Sequence, residues 1–206
     1  MEAMFKYDSQ KEKAIRDEFE KAMSAEENDR YDSKLSTCWM ESPVGTMLAI
    51  ADDRGLHMLS YAESSTMERK VAIIRKQLNV GLQIGANPVL KSIKAEMSDY
   101  FKGKLRTFET PLFPTGTDFQ KMVWEELRKV PYGTTVTYAE LAARVGKPAA
   151  YRAVAQANAQ NPLHVVIPCH RIVNSDGGLG GYAAGIDRKQ WLLEFEKGNM
   201  RKKAKE

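Results

Sequence analysis

The chain has 206 residues, 43% of them hydrophobic and 28% charged, with a formal net charge of +4 at pH 7. That length suits one large or two small domains with room for a core, and the composition excludes a disordered or fibrous chain. Two cysteines, Cys38 and Cys169, exclude a disulfide framework. Residues 1–23 are too charged for the apolar core of a signal peptide, and no run approaches a membrane span. A cytoplasmic protein without a membrane partner is expected. The positive excess lies in residues 116–206, whereas residues 1–34 are net acidic. A basic C-terminal half suits an anionic partner.

Residues 1–33 are rich in Glu, Lys and Ala and predict a charged helix followed by a polar linker, Ala25 to Ser33. Phe5, Ile15, Phe19 and Met23 offer an apolar stripe, which suits either an appended packing element or a mobile arm. From Leu35 the pattern changes. Leu35–Met40, Thr46–Ala51 and Leu56–Tyr61 predict three short strands, and the turn residues between them (Ser42-Pro43-Val44-Gly45 and Asp52-Asp53-Arg54-Gly55) predict a hairpin meander. Helices are expected at Met67–Leu78 and from Pro88 to Phe101, the second with Pro88 near its first position. Thr107–Phe113 has an extended pattern. This α+β region, residues 34–115, carries no chemical motif of its own.

Thr117-Asp118-Phe119-Gln120 is a capping box opening a helix whose core stripe is Phe119, Met122, Val123, Leu127 and Val130. Pro131-Tyr132-Gly133 breaks that helix. Tyr138–Val145 is the next, capped by Thr137, and Gly146-Lys147-Pro148 turns into a third at Ala149–Gln160. Helix, Gly-containing turn, helix is the outline of a helix-turn-helix. The third helix is crowded with alanines around one long cation, Arg152, and the positions Arg152, Ala155, Gln156 and Ala159 share a face. A helix that reads the major groove presents several long polar side chains to base edges. Small residues permit close backbone approach instead, which favours a narrow groove or shape-based binding.

Val165-Val166-Ile167 predicts a short buried strand, stopped at Pro168, which has no N–H to give to a ladder. Cys169 follows, with His170 beside it. The thiolate is the reactive form of cysteine, and a free thiol with a pKa of about 8.5 is only slightly ionised at neutral pH. An adjacent imidazole can raise that fraction, although the pair alone also suits a buried cysteine beside a structural histidine. A last helix is capped by Asp187-Arg188-Lys189-Gln190. Trp191, Leu192, Leu193, Phe195 and Glu196 fall on one broad side of it and Glu194 on the other. A carboxylate inside an apolar stripe needs a partner. His170 is one candidate and a structural arginine another.

Pro168-Cys169-His170-Arg171, preceded by the Val/Ile run and followed by Gly177-Gly178-Leu179-Gly180-Gly181-Tyr182, resembles the signature of the O6-alkylguanine-DNA alkyltransferases, the methylated-DNA–protein-cysteine methyltransferase family. The resemblance is strong from Thr117 to Lys197 and looser from Leu35 to Phe113. It implies an α/β (α+β) chain: a ribonuclease-H-like N-terminal domain, then a mainly helical domain with a helix-turn-helix and a short active-site strand. Residues 1–33 then form an extension, 116–200 the DNA-binding and alkyltransferase domain, and 201–206 a basic tail.

By this resemblance Cys169 takes a methyl or small alkyl group from O6 of guanine in double-stranded DNA, and from O4 of thymine, once and irreversibly. His170 is the base, acting through a water and oriented by Glu196. Asn161 holds the cysteine and its loop, and Tyr138 acts at the target phosphate and at guanine N3. Arg152 fills the gap left by the flipped nucleotide, with Ala153 and Gln156 beside it in the minor groove. Tyr182, Ile172, Ala183 and Ala184 form the base pocket. Ala183 lacks the hydroxyl of relatives that carry Ser there, and Ala184 stands where many have Gly. Arg171 is expected to make structural contacts, and His164 has no assigned role. No metal or organic cofactor is required; Cys38 and His57 are too few for the zinc site of some relatives. A monomer is expected.

Two other classes compete. A Cys-His hydrolase or acyl-transferase would turn over repeatedly on esters or thioesters, where the alkyltransferase titrates stoichiometrically. A non-catalytic lesion sensor would lack the acceptor cysteine, which this chain retains.

Overall fold

The computed structural model describes residues 5–23 and 31–203, and the chain forms two compact units, Met1–Thr115 and Gly116–Glu206. In the first unit, strands β1 (Lys34–Met40), β2 (Met47–Asp52) and β3 (Gly55–Tyr61) form the predicted antiparallel meander, with Cys38 opposite Ala49 and Ile50 opposite Met58. Helices α2 (Met67–Leu78) and α3 (Pro88–Phe101) have the expected bounds. Asn79, in the left-handed conformation, returns its N–H to Arg75 at the end of α2, and Asn87 accepts from the Leu90 amide at the start of α3. A fourth strand, β4 (Gly81–Ile84), pairs parallel with β1 and gives the sheet order β3-β2-β1-β4. Its four residues are too few to show a period in the sequence.

The segment predicted as extended, residues 107–113, makes only one isolated bridge, Leu56 to Leu112. The approach there is close: a side chain at Gly55 would lie 2.8 Å from the Pro111 carbonyl oxygen, and Gly55 has φ +153°. Only glycine fits.

Helix α1 (Ser9–Met23) lays Ile15, Phe19 and Met23 on the core cluster of this unit, which includes Leu35, Leu48, Ile50, Val71 and Ile74. The Phe19 ring meets Trp39 edge-on at 5.6 Å. Of the two alternatives for the N-terminal helix, the packing element is the one observed; residues 25–30 of the expected linker lie outside the described residues. Glu12 is buried and accepts from both the amide and the hydroxyl of Thr46, at 2.9 and 2.8 Å.

The second unit contains α4 (Asp118–Arg128), β5 (Val136–Thr137), α5 (Tyr138–Arg144), α6 (Tyr151–Ala159), β6 (Ile172–Val173) and α7 (Ile186–Lys203). Both α4 and α5 open with complete capping boxes, Thr117 with Gln120 and Thr137 with Glu140. The α4 stripe buries Val123 and Leu127, but Met122 is 42% exposed. Its place is taken by Trp124, whose indole N–H donates to the Ala157 carbonyl of α6 at 2.9 Å. The third helix begins later than predicted, because Pro148–Ala150 form one 3-10 turn before it. The last helix runs on to Lys203, so residues 201–203 are helical and not a tail; residues 204–206 lie outside the described residues.

Removing the Glu12 carboxylate leaves the buried Thr46 amide short of an acceptor, while the hydroxyl keeps Glu41 as a partner at 2.9 Å. Glu12→Ala is expected to destabilise the protein by about 1–3 kcal/mol in urea denaturation. A change below about 0.5 kcal/mol would show that the contact does not hold α1 in place.

Candidate active site

The predicted strand before the cysteine is absent. Residues 163–167 form a tight turn in which Val166 and Ile167 donate their amides to the carbonyls of His164 and Leu163, both at 2.9 Å. Val165 has φ +71°, a conformation that a β-branched residue adopts at a cost of about 1–3 kcal/mol. Three β-branched residues suggested a strand, but their backbone groups are satisfied locally and by one side chain. The Asn161 amide nitrogen donates to the carbonyls of Ile167 (2.8 Å) and Leu163 (3.3 Å) and to the sulfur of Cys169 (3.0 Å). Its oxygen accepts from the Leu163 amide at 2.9 Å. One fully buried asparagine thus fixes both the strained turn and the thiol. The strand in this corner is β6, which follows the cysteine and pairs parallel with β5, Val136 opposite Ile172.

Cys169, His170 and Arg171 form a 3-10 turn after Pro168. Cys169 is 3% exposed and His170 is wholly buried. His170 Nε2 lies 2.9 Å from Glu196 Oε1, and its Nδ1 has no hydrogen-bond partner among the described residues. Arg171 meets the same carboxylate through two nitrogens, Nε to Oε2 at 3.0 Å and Nη2 to Oε1 at 2.9 Å, and donates to the Val130 carbonyl. The Gly133 amide completes the set at 2.9 Å. Both partners foreseen for Glu196 are present together.

The charge balance follows from these contacts. Burial lowers the His170 pKa below the ordinary imidazole value, against the pull of the carboxylate. Burial alone would raise Glu196, but the His170 and Arg171 contacts outweigh it and hold the carboxyl well below the usual range. With Arg171 neutralising Glu196, the imidazole rests uncharged. Its Nε2–H points to the carboxylate, and the lone pair is left on Nδ1.

Lys189 is a site residue that the sequence reading missed. It is fully buried, and its ammonium donates to the carbonyls of Ile172 and Leu179, gripping the Gly-rich loop from inside. Burial lowers its pKa to about 8, while the charge on Cys169 pulls it back up. Lys189 lies seven residues before Glu196 on the same helix face, and that spacing was the available signal.

Tyr138, at the start of α5, is half-buried. Burial and the charge on Cys169 push its phenol pKa up, and a hydrogen bond from the Asn158 side chain opposes them. Gly180, at φ +66°, brings the loop against this ring: a side chain there would lie 3.2 Å from the Tyr138 ring and 2.9 Å from Asn174 Oδ1. Tyr182 is half-buried, its ring centroid 5.6 Å from that of His164. The Ile172 amide donates to the Cys169 carbonyl, and the Ile172 carbonyl is held by Lys189. Ala183 is half-buried. Ala184 is buried, with its carbonyl taken by Arg188 at 2.9 Å. On α6, Arg152, Ala153 and Gln156 are all exposed, and the Arg152 guanidinium lies 5.6 Å from the centroid of the exposed Tyr151 ring.

The Glu196 pKa lies below its unfolded value of about 4.3. It therefore contributes stability that is present above that pH and is lost as pH falls below it toward the lower value in the folded protein. Glu196→Gln, which strands Arg171, is expected to cost about 3–5 kcal/mol near pH 7. The stability of that variant should also fall less steeply below about pH 5 than that of the unaltered protein. Parallel pH–stability curves for the two proteins would contradict the assignment.

The chain is similar to known proteins over most of its length. Residues 118–198 match the family profile described as "6-O-methylguanine DNA methyltransferase, DNA binding domain", and residues 36–114 match its "ribonuclease-like domain". A methylated-DNA–protein-cysteine methyltransferase of Methanosarcina barkeri is 41% identical over 163 residues, covering 79% of this chain and 97% of the relative. One from Salmonella typhimurium is 36% identical over 160 residues, covering 75% and 91%. The crystal structure of Mycobacterium tuberculosis OGT in complex with DNA superposes with a TM-score of 0.68 at 34% identity, covering 81% of this chain and 94% of that one. With a relative this similar matched over nearly its whole length, and both of its units matched, the chain belongs to the methylated-DNA–protein-cysteine methyltransferase family.

Proposed function

We infer that this protein repairs DNA by direct reversal, moving a methyl or small alkyl group from O6 of guanine, and from O4 of thymine, onto Cys169. The observation that carries the reading is the wholly buried His170, whose Nε2 is engaged by Glu196 and whose Nδ1 has no partner among the described residues. An imidazole so placed is a base with its lone pair directed away from its anchor. The thiol proton passes to Nδ1 through a bridging water. The sulfur lone pair then forms the S–C bond as the C–O6 bond breaks, its electron pair going to the purine. Lys189 supplies positive charge beside the thiolate. Thioether formation leaves no easy route back, so each molecule acts once.

The lesion lies inside the duplex, out of reach of a sulfur that is 3% exposed. The nucleotide must leave the stack, at an unstacking cost of a few kcal/mol. Arg152, exposed at the start of α6, fills the gap, while the small Ala153 and the polar Gln156 follow the minor groove. Tyr182 walls the base, and the backbone of Ala183 and the free lone pair of the Ile172 carbonyl meet the guanine edge. Tyr138 protonates the leaving purine at N3. The protein acts as a monomer in a reducing compartment such as the cytoplasm, where the thiol stays reduced. Among the described residues no helix is long and apolar enough to cross a membrane.

Incubation with duplex DNA containing O6-methylguanine should add the mass of one methylene to the peptide carrying Cys169, at one equivalent per protein. No mass gain on that peptide would refute the function. Arg152→Ala is expected to slow repair of the duplex lesion at least about tenfold while changing reaction with free O6-benzylguanine less than about twofold, because only the duplex requires extrusion. Equal losses on both substrates would remove Arg152 from that role.

A further inference from the structure

Tyr151 has no task in the fold. It is the first residue of α6 and is 46% exposed. Among the described residues it is the one exposed aromatic of the second unit. The core does not need it, because Val154, Ala157 and Asn158 form the buried face of that helix. Nor does helix stability, since an aromatic is a poorer helix former than the alanines at 153, 155, 157 and 159. What the ring does meet is the next residue. The Arg152 guanidinium lies 5.6 Å from the ring centroid, within the roughly 6 Å over which a cation is drawn to an aromatic face. Adjacent positions on a helix do not ordinarily face each other, but helical side chains lean toward the N-terminus, and that lean carries the guanidinium back over the ring. Among the described residues Arg152 has no ion pair and no side-chain hydrogen bond, which leaves the ring to restrain its guanidinium.

We propose that Tyr151 is a positioning residue for Arg152, holding the guanidinium at the start of α6 so that it enters the stack as the damaged nucleotide leaves. This rests on the reading that Arg152 fills the gap. An unrestrained arginine is rich in rotamers, and insertion between base pairs removes that freedom. A guanidinium already resting on a ring has lost part of it before DNA arrives, so the everted state is reached at smaller cost. A carboxylate could restrain the arginine too, but it would set a negative charge against the phosphates. An aromatic face attracts the cation without that repulsion. The attraction belongs to the ring, so the hydroxyl is dispensable.

The test is a double-mutant cycle on the full chain, read as the single-turnover rate constant for methyl transfer from an O6-methylguanine duplex. Tyr151→Ala is expected to slow transfer about two- to fivefold, the rate equivalent of one exposed cation–π contact. In an Arg152→Ala background the same change should slow it less than about 1.5-fold. Tyr151→Phe keeps the ring face and should stay within about 1.5-fold of the unaltered protein. With free O6-benzylguanine, which requires no extrusion, Tyr151→Ala should also stay within about 1.5-fold. Equal slowing in both backgrounds overturns the proposal, since such a loss does not run through Arg152. A loss in Tyr151→Phe as large as in Tyr151→Ala overturns it as well, and so does an equal loss on the free base. Should Arg152→Ala alone leave the duplex rate unchanged, the reading of Arg152 falls and this proposal with it. A slow Arg152→Ala beside an unchanged Tyr151→Ala removes only Tyr151.

Discussion

Glu196 sits out of contact with solvent between the His170 imidazole, the Arg171 guanidinium and the Gly133 amide, and the nucleophile is located through that carboxylate. Taking a carboxylate out of water costs several kcal/mol unless its lone pairs are filled and its charge matched. Both conditions are met by residues from separate segments, the 3-10 turn of Cys169 to Arg171 and the Pro131–Gly133 break, and the Val130 carbonyl after α4 in turn holds the Arg171 guanidinium. Because the three contacts converge on one group, loss of any of them loosens the rest. The pairing also decides protonation. A guanidinium that satisfies the carboxylate leaves the imidazole neutral, and a neutral imidazole is the form able to accept a proton.

The same face of α7 carries a second buried charge. Lys189 holds the Ile172 and Leu179 carbonyls, so the Gly-rich loop is pinned by a side chain beneath it and not by a sheet ladder. Glycine suits a loop built this way. At Gly180 it allows both the left-handed backbone and the approach to Tyr138. A carboxylate and an ammonium two turns apart on one helix therefore set the two walls of the site.

Much of this was legible in the sequence, and the rest was hidden for identifiable reasons. The capping box at Thr117 and the cap at Thr137 are short-range signals and appear as expected. Glu196 was found because a carboxylate interrupts an apolar stripe, and the structure gives it both candidate partners. Val165 to Ile167 misled because β-branched residues favour strands through their packing on a pleated surface. Here Asn161 satisfies the backbone instead, an arrangement no local pattern encodes. Lys189 was overlooked because a lysine is expected at the surface, and its partners are backbone carbonyls that any sequence could supply. Met122 was assigned to the core in place of Trp124 because both fit a broad stripe, and only the Ala157 carbonyl decides between them.

The turn at Val165 has a meaning that depends on how often the protein is used. An enzyme that cycles must recover its starting geometry after every event, so a kinked backbone and a sealed sulfur would be obstacles to be overcome repeatedly. A protein that keeps what it removes has no return stroke. Its architecture has only to be right in the forward direction, and a tense, enclosed corner around Asn161 and Cys169 is compatible with a mechanism that is never wound back.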